Sequence, residues 1–350
     1  MRSEQELNSL AEKVFETASV EHMSAREQAS VLAERAPLAE ELATLAFKEK
    51  NATAWRLVQN GVFALPMFKV TSGRTVESRR RPFFRGDLVS AGIRDIVWDV
   101  EERNVPRLEP PKPLTGEAAA VFIEEEFRKR SVGHHPLFQY LAETKMSPAQ
   151  ERAATLAYLH SVMVRIRTVH RSIMLVQIPM EFHDCIKIAQ LVIDELGNGK
   201  LDEAHAQRTA NDIAKWGDKV DWHAPVKSTE MKAMLNWNLR TVTHPDSLWS
   251  FTGIFCVEWN SYLELRAALL ALRKRGIPDD KMEVLVQHGE GHPYDVDKHA
   301  YLVRQELGRR IEKPEDCVQV YSGIAYHQSL YHAFFEGEFA ELRRSVESTT

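Results

Sequence analysis

From residue 116 to the end, the sequence is a succession of long segments in which apolar residues recur at the spacing of an α-helix. Short turns separate these segments. Ser147 followed by Pro148 is typical of a helix start, and the glycines at 197 and 199 are typical of a helix end. Helices of this length joined by short loops favour an antiparallel bundle. We therefore expect an all-α fold.

Residues 1–115 differ in character from the rest of the chain. Residues 5–65 predict two or three amphipathic helices, and 87–103 predict another. Between them, KVTSGRTVESRRRPFFRG is typical of a turn-rich loop, and a proline-rich linker leads up to residue 115. We predict an N-terminal helical extension over 1–115 and a helical bundle with a metal site over 116–350. The extension could cap a pocket, form a dimer interface or bind a partner.

Two glutamates, Glu195 and Glu258, lie in helical stripes that are otherwise apolar. Three, four and seven residues before them stand Val192, Leu191 and Ile188, and Phe255, Ile254 and Phe251, respectively. A lone carboxylate in an apolar core costs several kcal/mol or takes up a proton, unless a cation lies beside it. The adjacent Asp194 does not share this pattern, because its helical neighbours are polar. The two glutamates therefore indicate a metal centre inside the bundle.

A cluster of histidines follows about thirty residues after Glu258. His288, His292, Asp295 and His299 stand at i, i+4, i+7 and i+11, which places them within roughly 60° on one helical stripe. Imidazole and carboxylate together suit iron, manganese or zinc. Pro293 is expected to kink or restart this helix. The alternative is a polar, exposed helix start whose histidines happen to align.

Several other residues have two interpretations each. His170 and His327 fit either as core histidines or as pocket residues, and His205 has the pattern of a surface residue. Tyr262, one turn after Glu258, fits as a core residue with a hydrogen-bonded hydroxyl group. Cys256 could be a buried thiol or, with a nearby base, a nucleophile.

Composition excludes several classes of protein. The net charge of −5 gives no reason to expect nucleic acid binding, and three cysteines are too few for a disulfide framework. No stretch is apolar enough for a membrane span, and the N-terminus lacks the pattern of a secretory signal. We therefore expect a cytoplasmic protein.

From about residue 135 to 341, these motifs resemble the haem-oxygenase-like diiron oxidases, relatives of the TenA and PqqC folds. DELGNGKLDEAHAQ is similar to the family's segment of Glu, glycine-rich turn and His, and thus implies Glu195 and His205 as ligands. The helix pair with a central Glu and a His thirty residues later implies Glu258 and His288. The family's next motif is His, three residues, a carboxylate, two residues and His. This chain departs from it, because from His288 the carboxylate position holds His292 and the second His position holds Asp295. A one-turn insertion around GHPY would explain the departure.

The resemblance implies two Fe(II) ions, with O2 as co-substrate and Glu258 as the bridging carboxylate. The implied metal ligands are Glu195, His205, Glu258, His288, His292, Asp295 and His299. Glu258, Tyr262 and His170 are the predicted catalytic residues. The implied reaction is oxidation of a small organic substrate, either N-oxygenation of an amine or oxidative C–C cleavage of an amino or fatty acid, and we expect a homodimer.

Two alternatives stay open at this point. One is a metal-free enzyme of the TenA or PqqC kind, in which Cys256 would be the nucleophile. The other is a non-catalytic helical scaffold whose first 115 residues mediate assembly.

Overall fold

The computed structural model describes residues 2–16, 20, 23–65, 87–173, 182–244, 246–290 and 299–349, with the backbone alone for 170–173, 182–184 and 187. Throughout these ranges every regular element is helical, which confirms the prediction of an all-α chain. The chain divides into two compact units, Met1–Val105 and Pro106–Thr350. The domain division at residue 115 stays a prediction. Within the ranges above, no helix combines the length and the apolar composition that a bilayer crossing requires.

The first unit consists of short capped helices. They are α1 (Glu4–Phe15), α2 (Ala25–Ala43), α3 (Ala52–Ala64) and α4 (Leu88–Arg103), with a π-helical turn at Thr44–Lys48 after α2. Ser3 and Ser24 begin α1 and α2 as capping boxes, because a glutamate three residues later returns a hydrogen bond to each cap. The helices predicted over 5–65 and 87–103 are confirmed. The predicted loop KVTSGRTVESRRRPFFRG lies outside the described residues.

The second unit contains the longer helices. They are α5 (Gly116–Lys129), α6 (Pro136–Glu143), α7 (Pro148–Ile173), α8 (Phe182–Glu195), α9 (His205–Lys215), α10 (Thr229–Val242), α11 (Ser247–Lys274), α12 (Glu283–Gly289), α13 (His299–Arg310) and α14 (Pro314–Glu347). The predicted start at Ser147 and Pro148 is confirmed, since the Gln150 backbone N–H donates to Ser147 Oγ at 3.3 Å.

Helix α11 is the central helix of the second unit. It packs against α6, α10, α12, α13 and α14. Phe251, Phe255 and Trp259 are fully buried along it, and Phe255 packs edge to face against Phe127 with ring centroids 5.4 Å apart. Burying an aromatic side chain contributes about 1.5–3 kcal/mol. This packing fixes the position of α11 and, with it, the position of Glu258.

The predicted single helix from His288 to His299 is interrupted. Helix α12 ends at Gly289, and Glu290 has an extended backbone with φ −85 and ψ 155. A Cβ at Gly289 would lie 2.9 Å from Arg266 Cα, so a glycine is needed where α12 meets α11. The prediction of one continuous helical stripe is therefore wrong, because the backbone leaves the helical conformation at Glu290. Pro293 lies outside the described residues.

Candidate metal centre

Glu195 and His205 are brought together by a glycine-rich turn. Glu195 ends α8 and His205 begins α9. Between them Gly197 has φ +70, and a Cβ on it would lie 2.3 Å from Ala204 N, so only glycine permits this close return of the chain. As a result, His205 Nδ1 lies 2.6 Å from Glu195 Oε2. Both side chains are buried, so the interpretation of His205 as a surface residue is wrong.

His288 completes a first group with these two residues. Its Nδ1 lies 2.8 Å from the Val284 carbonyl oxygen, one turn earlier in α12. A carbonyl oxygen only accepts, so the proton of the ring is on Nδ1 and Nε2 keeps its lone pair. That Nε2 lies 3.2 Å from His205 Nδ1. One ligand atom from each of Glu195, His205 and His288 lies within 4.8 Å of the others, which is close enough for one ion to contact all three.

Glu195 also belongs to a second group, with Glu258 and His299. The ligand atoms of this group likewise lie within 4.8 Å of one another. His299, the first residue of α13, has Nδ1 3.7 Å from Glu195 Oε1 and 3.6 Å from Glu258 Oε2. Its Nε2 lies 3.1 Å from Asp194 Oδ2. The two groups thus adjoin through Glu195, which offers one carboxylate oxygen to each.

The charge around His299 shows that the second group has more carboxylates than positive charge. Burial by itself would lower the pKa of His299, but hydrogen bonds to Glu195, Glu258 and Asp194 raise it to about 11. A histidine holds a proton this firmly only where carboxylates exceed the positive charge around them. The second group is therefore a site that favours a cation, and a metal ion would satisfy the same carboxylates.

The predicted site residues have different outcomes. Glu195, His205, Glu258, His288 and His299 come together in the two groups. His292, Asp295 and the side chain of His170 lie outside the described residues, so their roles stay predictions. Tyr262 is buried and lines a cavity beside the groups, and its catalytic role also stays a prediction.

Sequence reasoning missed two residues that touch the candidate ligands, and a third that touches one of these two. Asp194 accepts a hydrogen bond from His299 despite its polar helical neighbours. Gln287 lies against His205, and Arg208 donates to Gln287. The adjacency of Asp194 to Glu195 and of Gln287 to His288 is the only sequence signal for these contacts, and it is a weak one.

Two cavities meet at the groups. Glu195, His205, Glu258, Ser261 and His288 line both of them. The inner cavity has apolar walls made by Val162, Ile166, Val169, Val257 and Leu265, with Arg165, Glu264 and Tyr331 as further lining. The outer cavity is lined by polar residues that include Asp194, Asn198, Glu203, Arg208 and Gln287. The candidate ligands therefore stand between an apolar space and a polar one.

Two charged residues of the inner cavity, Arg165 and Glu264, compensate each other. Both Nη atoms of Arg165 donate to the carboxylate of Glu264, and the Tyr158 hydroxyl group donates to the same carboxylate at 2.8 Å. Arg165 and Glu264 are both buried. Such a bidentate pair is geometrically specific and leaves the cavity with little net charge from these two residues.

Residues 172–332, a little under half of the chain, match the model of a family described as iron-containing redox enzymes. All five residues of the two groups fall inside this range. The match confirms the resemblance to the haem-oxygenase-like family, which is all-helical like the described part of this chain. The family description supports a redox function and iron as the metal. No curated protein matches the chain.

Proposed function

We propose that this protein is a non-haem iron oxidase or oxygenase that uses O2 to oxidise a small organic substrate. The observation that carries the proposal is the pair of adjoining ligand groups that share Glu195 within a helical bundle. Paired metal sites in bundles are commonly built from inward-facing glutamates and histidines. The match to iron-containing redox enzymes supports iron as the ion.

The donor set fits iron at both groups. One ion would be held by Glu195, His205 and His288, and a second by Glu195, Glu258 and His299. Carboxylate and imidazole ligands suit iron. Because Glu195 belongs to both groups, Glu195 rather than Glu258 would contribute to holding both ions. Iron bound here would supply the reduction of O2 that accompanies substrate oxidation.

Two residues outside the ligand groups orient the ligands. The Val284 carbonyl oxygen accepts from His288 Nδ1, which leaves Nε2 directed at the first group. Asp194 accepts from His299 Nε2, which leaves Nδ1 facing Glu195 and Glu258 once that atom has lost its proton. Partners of this kind fix the tautomer of a ligating histidine and raise its basicity. His288 and His299 are therefore prepared for metal binding by the protein itself.

We propose that the substrate occupies the outer cavity, because its volume of about 320 Å³ can hold a small organic molecule, whereas the inner cavity, with about 50 Å³, is too small for one. The five aliphatic wall residues of the inner cavity exclude water from that side of the ligands, and Ser261 lies beside the ligands at the junction of the two cavities. N-oxygenation of an amine and oxidative C–C cleavage of an amino or fatty acid are the two reactions we propose. Arg165 and Glu264 neutralise each other, so neither a carboxylate nor an ammonium group is selected by them alone.

The metal-free alternative is weakened by the surroundings of Cys256. This cysteine is 1% exposed, and burial raises the pKa of its thiol well above the ordinary value. The thiolate is the nucleophilic form, so a raised pKa opposes nucleophilic catalysis. The non-catalytic alternative does not explain the excess of carboxylates around His299.

Anaerobic reconstitution with Fe(II) tests the proposal. The metal-free protein is loaded with Fe(II), its bound iron is counted, and O2 is then added in a stopped-flow absorbance experiment. We expect bound iron and an O2-dependent absorbance change. The same protein with Glu203→Gln is the matched control, because Glu203 lines the outer cavity without belonging to either group. Iron binding with no optical response to O2 would contradict the proposal, as would absence of iron binding.

A further inference from the structure

A chain of hydrogen bonds along the outer cavity leads from Arg208 to His205. Arg208, one turn after His205 on α9, donates from Nη1 to Gln287 Oε1 at 2.9 Å. Gln287 Nε2 lies 3.0 Å from His205 Nε2. A guanidinium group only donates, so Arg208 holds the oxygen of the amide and turns its NH2 group toward His205.

This arrangement determines where the proton of a neutral His205 ring lies. An amide NH2 group only donates, so His205 Nε2 is the acceptor and the ring proton is on Nδ1. That atom is 2.6 Å from Glu195 Oε2 and 3.2 Å from His288 Nε2. Both of these are acceptors, since His288 carries its own proton on Nδ1. The His205 proton therefore points among the ligand atoms of the first group, where the ion would bind.

We propose that Arg208 and Gln287 are positioning residues that lower the metal affinity of the first group by holding His205 in the opposing tautomer. Histidine ligands usually have an acceptor behind the second ring nitrogen, which favours the binding tautomer. Here a donor occupies that place. Binding an ion at Nδ1 moves the proton to Nε2, and the amide must then turn its oxygen toward the ring and give up the hydrogen bond from Arg208. The inference rests on the metal site proposed above.

Variants of Gln287 test this inference through metal affinity, with Co(II) absorbance as the readout. They are made in the Glu258→Gln background, which leaves the first group as the complete one of the two described groups. Gln287→Met removes the opposing donor without changing charge, and we expect the Co(II) affinity to rise about fivefold, as for one lost hydrogen bond. Gln287→Glu replaces the donor by an acceptor, and we expect a rise of about tenfold or more. Unchanged or weaker binding in Gln287→Met would overturn the inference.

The charge added by Gln287→Glu needs its own control. Glu203→Gln removes one negative charge from the same cavity without touching His205, and the fall in Co(II) affinity that it causes measures the contribution of one charge. The rise in affinity in Gln287→Glu must be larger in magnitude than this fall. A rise no larger than the fall would mean that charge, and not the tautomer, is responsible.

The tautomer can also be observed directly in the metal-free protein. Nitrogen NMR of histidine-labelled protein at mildly alkaline pH gives the protonated atom of each ring, and the His205 signal is assigned by its loss in His205→Gln. We expect the proton on Nδ1 in the wild type and on Nε2 in Gln287→Glu. A wild-type proton on Nε2 would overturn the inference. A wild type that binds no metal ion would overturn the proposed function as well, whereas a metal-binding chain with unaltered Gln287 variants would overturn this inference alone.

Discussion

Helix α11 carries two buried acids, six residues apart, whose surroundings are opposite. Glu264 is 1% exposed and accepts hydrogen bonds from both Nη atoms of Arg165 and from Tyr158. Glu258 is 9% exposed and lies in a group with Glu195 and His299. A buried carboxylate requires compensating charge. Glu264 receives this charge from the protein, whereas Glu258 stands where a metal ion can supply it.

The comparison separates a structural acid from a ligand. The Arg165 pair joins α7 to α11 and is complete without any added group. The carboxylates around His299 instead retain a proton on that ring, with its pKa raised to about 11 against the effect of burial. Burial of an acid is therefore not by itself the signature of a metal site. The signature is burial without a permanent positive partner.

The stability of the metal-free protein tests this difference most strongly. Glu264→Gln leaves Arg165 buried without its counter-charge, and we expect the free energy of unfolding to fall by about 3–5 kcal/mol. Glu258→Gln removes one of three carboxylates around His299, and Glu195 and Asp194 still face that ring, so we expect a change of less than about 1 kcal/mol. Urea denaturation of both variants gives the two values. Equal losses would show that the two acids have the same structural role.

His327 sharpens the comparison, because it is a buried titratable group that avoids charge altogether. It is fully buried on α14, which confirms it as a core histidine, and Asn260 Nδ2 donates to its Nε2 at 2.9 Å. Burial lowers its pKa to about 3.

The pH dependence of stability follows from this lowered pKa. Between the ordinary histidine pKa of about 6.5 and the folded value, only the unfolded chain binds the proton, so the free energy of unfolding falls as the pH falls. We expect a loss of about 2 kcal/mol from pH 7 to pH 5 through this group. His327→Gln keeps an acceptor and should remove that share of the loss. Urea denaturation at both pH values measures it, and an unchanged pH dependence in His327→Gln would contradict the assignment.

The smallest expected effect concerns Asp194, which supports His299 without belonging to the second group. Asp194→Asn keeps the size of the side chain but weakens the acceptor behind His299 Nε2. We expect the affinity for the second iron to fall about tenfold, at the lower end of what such supporting partners contribute. Anaerobic Fe(II) titration measures this affinity. Gln190→Leu is a suitable control, since Gln190 donates a hydrogen bond to Asp194 Oδ1, the oxygen that does not face His299. A fall of the same size in the control would contradict a specific role for Asp194.

Helical periodicity in the sequence predicted most of the fold, because period and capping are local properties. Ser147 with Pro148 marked the start of α7, and the glycines after Glu195 marked the end of α8. The end of α12 at Gly289 could not be predicted in this way. The glycine at this end lies against Arg266, which is a contact between residues distant in sequence.

The candidate site was predictable where a residue type conflicted with its local surroundings. Glu258 stood out because Ile254 and Phe255 precede it, while Glu264 did not, because Asn260 and Ser261 occupy the equivalent places. Asp194 was set aside for its polar neighbours, although its partner His299 comes from another helix. The local pattern can reveal an acid whose helical neighbours are apolar, but it cannot reveal the partner that the fold brings to that acid.

The number of iron ions bound by single variants tests the central claim most directly. Glu195 belongs to both groups, whereas Glu258 and His288 belong to one each. After anaerobic loading with Fe(II), we expect Glu195→Gln to retain neither ion, and Glu258→Gln and His288→Gln to retain one ion each. Full iron content in Glu195→Gln, or equal iron content in all three variants, would contradict a pair of metal sites joined through Glu195.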